Sequence, residues 1–105
     1  MTQNTAIRPG FAWAADIQFE GEVFPVNATF RAQFRATRDG PVLVDVTTGI
    51  IRTAADEIRV QLSALQTADI TDPMVFFDVV RTDGAAPDLL SAEFEVDVKR
   101  SITRL

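Results

Sequence analysis

The chain has no cysteine, so neither a disulfide framework nor a thiolate metal site is available and its stability has to come from packing. Histidine is missing too. That removes the commonest general base near neutral pH and the commonest transition-metal ligand, and with them most triad and zinc chemistry. Basic residues number 10 against 15 acidic ones, and the formal charge of -5 works against attraction to nucleic-acid phosphates or anionic membrane surfaces. The expectation is no nucleic-acid partner and no membrane partner. No stretch approaches membrane-spanning length, and Met1 to Arg8 lack the apolar centre of a signal peptide. The expected location is the cytosol of the cell that makes the chain, unless the chain is carried out as part of an assembly.

What is present points to a packed domain. A length of 105 residues supports one core and is too short for two. Hydrophobic residues make up 47% of the chain and include eight Phe and one Trp, which excludes disorder over most of its length. Residues 1–9 carry no pattern and are read as an N-terminal arm, either frayed or docked on a neighbouring subunit, while residues 10–105 are read as a single domain.

Apolar residues fall at alternate positions from Phe11 through Trp13, Ala15, Ile17 and Phe19, which is the period of a strand with one buried face. Ala28 to Thr37 repeats the pattern, with Phe30, Ala32, Phe34 and Ala36 on one side and Arg31, Gln33 and Arg35 on the other. Arg38-Asp39-Gly40-Pro41 supplies turn chemistry before Val42 to Val46 resumes the extended pattern, so this pair predicts a hairpin. Further strands are predicted at Ile50-Ile51, at Glu57 to Leu62, at Met74 to Thr82 and at Leu89 to Lys99. In the last of these Ala92, Phe94, Val96 and Val98 point inward, and Glu93, Glu95, Asp97 and Lys99 outward. The one helical signal, near residues 63–70, starts at Ser63, whose spacing to Gln66 is that of a capping box, and is stopped by Thr71-Asp72-Pro73. About six to eight short strands without helical crossovers predict an all-β antiparallel sandwich, with a partly open barrel as the alternative.

Chemistry-bearing constellations are sparse. Glu93, Glu95 and Asp97 lie on one strand face and are read as a solvated surface, since glycoside hydrolysis needs two acids held across a cleft. Asp69, Asp72, Asp83 and Asp88 sit near turns, where Asp commonly bonds its own backbone, and their spacing matches no calcium loop. Ser63, Ser91 and Ser101 have no histidine to activate them and no nucleophile elbow around them. Asn27-Ala28-Thr29 spells a glycosylation sequon without a secretory signal beside it. No catalytic residue, cofactor or metal ligand is assigned, and the chain is read as no enzyme. Trp13 beside Phe11 offers a ring that can stack on a sugar, although its alternation with Ala15 and Ile17 favours the core. The ladder Arg31, Gln33 and Arg35, with Arg8 of the arm, forms the candidate interface, the simpler reading being that the arginines pair with acids on neighbouring strands.

Four motifs come in a fixed order: Phe30-Arg31-Ala32-Gln33-Phe34-Arg35, Leu62-Ser63-Ala64-Leu65-Gln66-Thr67-Ala68, Phe77-Asp78-Val79-Val80-Arg81-Thr82-Asp83-Gly84, and Val96-Asp97-Val98-Lys99-Arg100-Ser101-Ile102-Thr103-Arg104. In this order the chain resembles small immunoglobulin-like structural proteins of tailed bacteriophages and prophages, including the N-terminal domains of upper baseplate proteins. It departs from them at Val26, Asn27 and Ala28, where the group often has a Leu-Thr-Gly-like bend. The resemblance implies an immunoglobulin-like sandwich acting as a virion structural protein: a head decoration or a tail or baseplate piece, present in many copies or as a homo-oligomer, with other virion proteins as partners. The competing expectation is a carbohydrate- or receptor-binding module that uses Trp13.

Overall fold

Alternation in the first strand translates directly into burial: Trp13, Ala15 and Ile17 are buried while Ala14 and Gln18 face solvent, in a computed structural model whose described residues are 6–84, 86–90 and 93–99. This strand, β1 (Trp13–Gln18), pairs antiparallel with β5 (Glu57–Leu62), and β5 pairs in turn with β4 (Ile50–Ala54). The register sets Trp13 opposite Leu62, Ala15 opposite Val60 and Ile17 opposite Ile58, so every inward pair is apolar on both strands. Outward, Asp16 meets Arg59, whose Nε lies 2.7 Å from the carboxylate. Cross-strand pairs of both kinds fix the register, because a one-residue slip would turn the apolar set to water.

The larger sheet is ordered β3 (Val42–Val46), β2 (Phe30–Arg35), β6 (Met74–Arg81), with β7 (Asp88–Leu89) and β8 (Phe94–Asp97) both on the free side of β6. The expected hairpin forms between β2 and β3, its turn closed by the Gly40 amide donating to the Thr37 carbonyl at 3.1 Å. A register shift falls beyond Phe34, where Arg35 lies opposite Val42 and Leu43 is the extra residue of a bulge.

Two expectations need correction. The single strand predicted over Leu89 to Lys99 is divided into β7 and β8, because Leu89 lies opposite Val80 but Phe94 lies opposite Phe77. Five steps on one side against three on the other put two extra residues into the ladder, which ends one pairing and restarts another. Ala92, expected to point inward, lies outside the described residues. The second correction concerns the arm: Ile7 is fully buried and forms a parallel bridge with Val98, its amide donating to Asp97 O at 2.8 Å and its carbonyl accepting from the Lys99 amide at 2.9 Å. The packed body therefore begins before residue 10, while residues 1–5 lie outside the described residues. Pro9 and Gly10 then turn the chain into β1, with Gly10 at φ +88, a conformation that favours glycine.

Helix α1 (Ala64–Ala68) carries the expected capping box, with the Gln66 amide donating to Ser63 Oγ at 3.1 Å and the Ser63 amide donating to Gln66 Oε1 at 2.8 Å. Thr67 on its inner side is buried; its hydroxyl donates to Phe11 O at 2.8 Å and accepts from the Gly10 amide at 3.1 Å. The two sheets close over one core. Trp13 of the smaller sheet stands edge-on to Phe34 and Phe77 of the larger, with centroids 5.8 and 6.2 Å away, and Phe34 stacks on Phe77 at 4.5 Å. The architecture is an antiparallel, mostly β fold of two facing sheets with one short helix. Among the described residues, no helix is long and apolar enough to cross a membrane.

Candidate functional site

Because Phe30, Ala32 and Phe34 are committed to the core, the alternation of β2 forces Arg31, Gln33 and Arg35 onto the opposite, outer face of the larger sheet. Pairing on both sides then chooses their neighbours. Gln33 lies opposite Asp45 of β3 and Asp78 of β6, while Arg35 lies opposite Phe76 and Arg31 opposite Val80.

Arg31 grips the Asp45 carboxylate with both arms of its guanidinium, the Nε bond being 3.0 Å long. The Gln33 amide nitrogen adds a weaker bond to the same carboxylate at 3.3 Å. Hydrogen bonding from Arg31 holds the Asp45 carboxyl below its ordinary value, and the same bond raises the Arg31 guanidinium. Arg35 turns the other way, donating to the Gly40 carbonyl and, at 2.8 Å, to Gln33 Oε1. Arg38, from the β2–β3 turn, forms a two-pronged pair with Glu93 just before β8, its Nε 3.2 Å from the carboxylate. These pairs are open to water, which screens their attraction, so they order the face more than they stabilise the fold.

Two shallow hollows open on this face, of about 190 Å³ beside Arg35, Arg38 and Phe76 and of about 260 Å³ beside Arg31, Val80 and Pro87. Gln33 and Asp78 line both and form the ridge between them. The Asp78 side chain makes no hydrogen bond or ion pair among the described residues, and Arg35 has no carboxylate partner there. Exposed apolar side chains flank the charged centre, with Val42 and Leu43 on β3 and Leu89, 61% exposed, on β7.

The structure thus brings Arg31, Gln33 and Arg35 together and leaves Arg8 out of the group. Arg8 is exposed and lines a separate hollow of about 250 Å³ with Phe11 and Trp13, on the segment leading into β1. Trp13, only 5% exposed, is clamped by Phe34 and Phe77 and has no free ring face for a sugar. Among the acids weighed from sequence, Glu93 is turned to Arg38, and Asp83 is taken by Arg81 and by the Thr29 amide at 3.4 Å. Ser63 is spent on the helix cap, and Ser91 and Ser101 lie outside the described residues. Among the described residues no group of three or more acids is placed to hold a metal ion. Asp45 was within reach of sequence reasoning through the hairpin register; Asp78 was not, because its position opposite Gln33 depends on a pairing 45 residues apart in sequence.

Asp83 ties the end of β6 to the residue just before β2. Its bonds to Arg81, at 2.8 and 3.0 Å, are the main reason its carboxyl is lowered from 3.8 to about 2. Since the folded value is the depressed one, the contribution of this contact is complete above pH 3.8 and fades as pH falls toward about 2. A carbon-detected NMR titration is expected to show Asp83 titrating at about 2 and, in Arg81→Met, returning toward 3.8. An unchanged midpoint in the variant would show that Arg81 is not the cause.

No protein-family model matches the chain, no curated protein matches it, and no solved structure matches it.

Proposed function

We propose that this chain is a non-catalytic, immunoglobulin-like assembly module of a tailed-phage particle, present in many copies on the head surface or in the tail or baseplate and binding other virion proteins. The strand order supports the fold part of this reading. β1-β5-β4 facing β3-β2-β6 with β7 and β8 follows the B-E-D and C′-C-F-G order of immunoglobulin-type sandwiches, and α1 occupies the connection between the fifth and sixth strands. The ordered motif set from Phe30 to Arg104 supports the virion part.

The observation that carries the docking role is the outer face of the larger sheet. It is open, shallowly contoured and apolar at its margins, with charged groups set at fixed positions by strand pairing. Such a surface suits contact with another protein, and repetition on a lattice adds weak contacts together through avidity. The test is the composition of purified phage particles and their negative-stain appearance with and without the gene for this chain. The expected result is a stoichiometric band in the particles and altered particles without it. Particles unchanged in composition and shape, from which the protein is always missing, would refute the proposal.

A further inference from the structure

We infer that the outer face of the larger sheet docks on a basic protein surface, whose arginine or lysine side chains lie along β6 and β8 among Asp78, Glu95 and Asp97. The inference rests on reading this face as a docking surface and names the chemistry of its occupant. Strand pairing lays the face out in rows: Arg31 beside Val80 and Leu89, Gln33 between Asp45 and Asp78, Arg35 beside Phe76 and Glu95, and Met74 beside Asp97. The rows divide by charge. Strands β2 and β3 contribute Arg31 and Arg35 against Asp45, whereas β6 and β8 contribute Asp78, Glu95 and Asp97 and no cation. Off the strands, Arg38 is spent on Glu93, and Asp72 before β6 and Lys99 after β8 add one charge of each sign. The face is therefore net acidic, with its surplus on the β6–β8 half.

Charge decides the sign of the occupant. A second copy of the face would set carboxylates against carboxylates, and a nucleic acid or anionic membrane would be repelled in the same way. The apolar residues decide its kind. Met74, Phe76 and Val80 stand half-buried on the outer side of the central strand, and Leu89 extends them to the margin. A small cation would leave these side chains in water, whereas a protein surface removes them from it. Basic side chains suit both parts of the face, because their stems lie along apolar surface while the charged head reaches a carboxylate. Phe76, in the same row as Glu95, offers a ring on which a guanidinium can stack.

Titration of the isotope-labelled chain with an oligoarginine peptide at low salt, followed by NMR, tests the assignment. The expected result is a set of amide shifts concentrated at Met74, Phe76, Asp78, Glu95 and Asp97 and reduced by added salt. The pair of changes Glu95→Lys and Asp97→Lys is expected to raise the dissociation constant by about tenfold or more. The control pair Glu20→Lys and Glu22→Lys alters net charge equally on the exposed connection between β1 and β2, and is expected to have a much smaller effect. Circular dichroism of each variant checks that the fold persists; if the lysine pair on β8 does not fold, Glu95→Gln with Asp97→Asn is expected to weaken binding in the same direction. Absence of binding, shifts spread evenly over the exposed carboxylates, or equal losses in the two pairs overturns the inference. A chain that is found in phage particles but fails this titration sinks this inference alone. A chain that passes it but never enters particles sinks only the virion assignment.

Discussion

Phe34→Ala is expected to remove a large share of the domain's stability. The Phe34 ring is fully buried, stacks on Phe77 at 4.5 Å and meets the Trp13 ring in a T-shaped pair at 5.8 Å, so it joins the two sheets at the centre of the core. Truncation removes the transfer free energy of the ring and leaves a cavity whose walls, being two sheets held by their own hydrogen bonds, cannot close over it. Such changes cost about 3–5 kcal/mol. The whole stability of a domain of this size is about 5–15 kcal/mol, so a fifth or more of it is lost. Urea unfolding followed through Trp13 fluorescence checks this, with the midpoint falling and the slope unchanged. Leu65→Ala is the control, since Leu65 is 83% exposed and its loss is expected to stay within about 0.5 kcal/mol. Similar midpoints for the two variants would contradict the packing described for Phe34.

Thr67→Val is expected to have the second largest effect, through hydrogen bonding instead of volume. Valine nearly reproduces the shape of threonine, so packing around α1 is retained. The hydroxyl, however, is the only side-chain group bonding both the Gly10 amide and the Phe11 carbonyl among the described residues, and both lose their partner. Leaving such groups unsatisfied costs about 1–3 kcal/mol. The effect should be local as well as global: amide exchange at Ile7 and Gly10 should accelerate more than exchange in β2 or β6, because Thr67 is what holds the turn between the Ile7 bridge and β1. Thr67→Ser keeps the hydroxyl and should retain most of the protection. Equal exchange in Thr67→Val and the parent chain would remove Thr67 from this role.

The parts of this fold that were legible are those where parity or a local motif decides the structure. Alternation in β1, β2 and β5 assigned the buried faces, Asp39-Gly40 marked the hairpin, and Ser63 with Gln66 marked the helix start. The division of the last strand was hidden by the same parity. An insertion of two residues leaves odd and even positions on their former faces, so Leu89 to Val98 reads as one continuous strand even though its ladder on β6 restarts. Ile7 was hidden for another reason, since a lone apolar residue among polar neighbours has no period. The site shows the same split: the outward direction of Arg31, Gln33 and Arg35 is a local property, whereas the presence of Asp78 beside them and the distance of Arg8 from them follow from tertiary pairing.

The parallel bridge between Ile7 and Val98 has a mechanical consequence. Antiparallel partners peel apart one bond at a time when pulled from the shared end, but segments running in the same direction leave their contact at opposite ends. Tension between Ala6 and Lys99 would therefore load the Ile7–Asp97 and Lys99–Ile7 bonds together, in shear, before reaching the sheets behind them. Strain arriving along the chain meets a clasp that must give way as a unit.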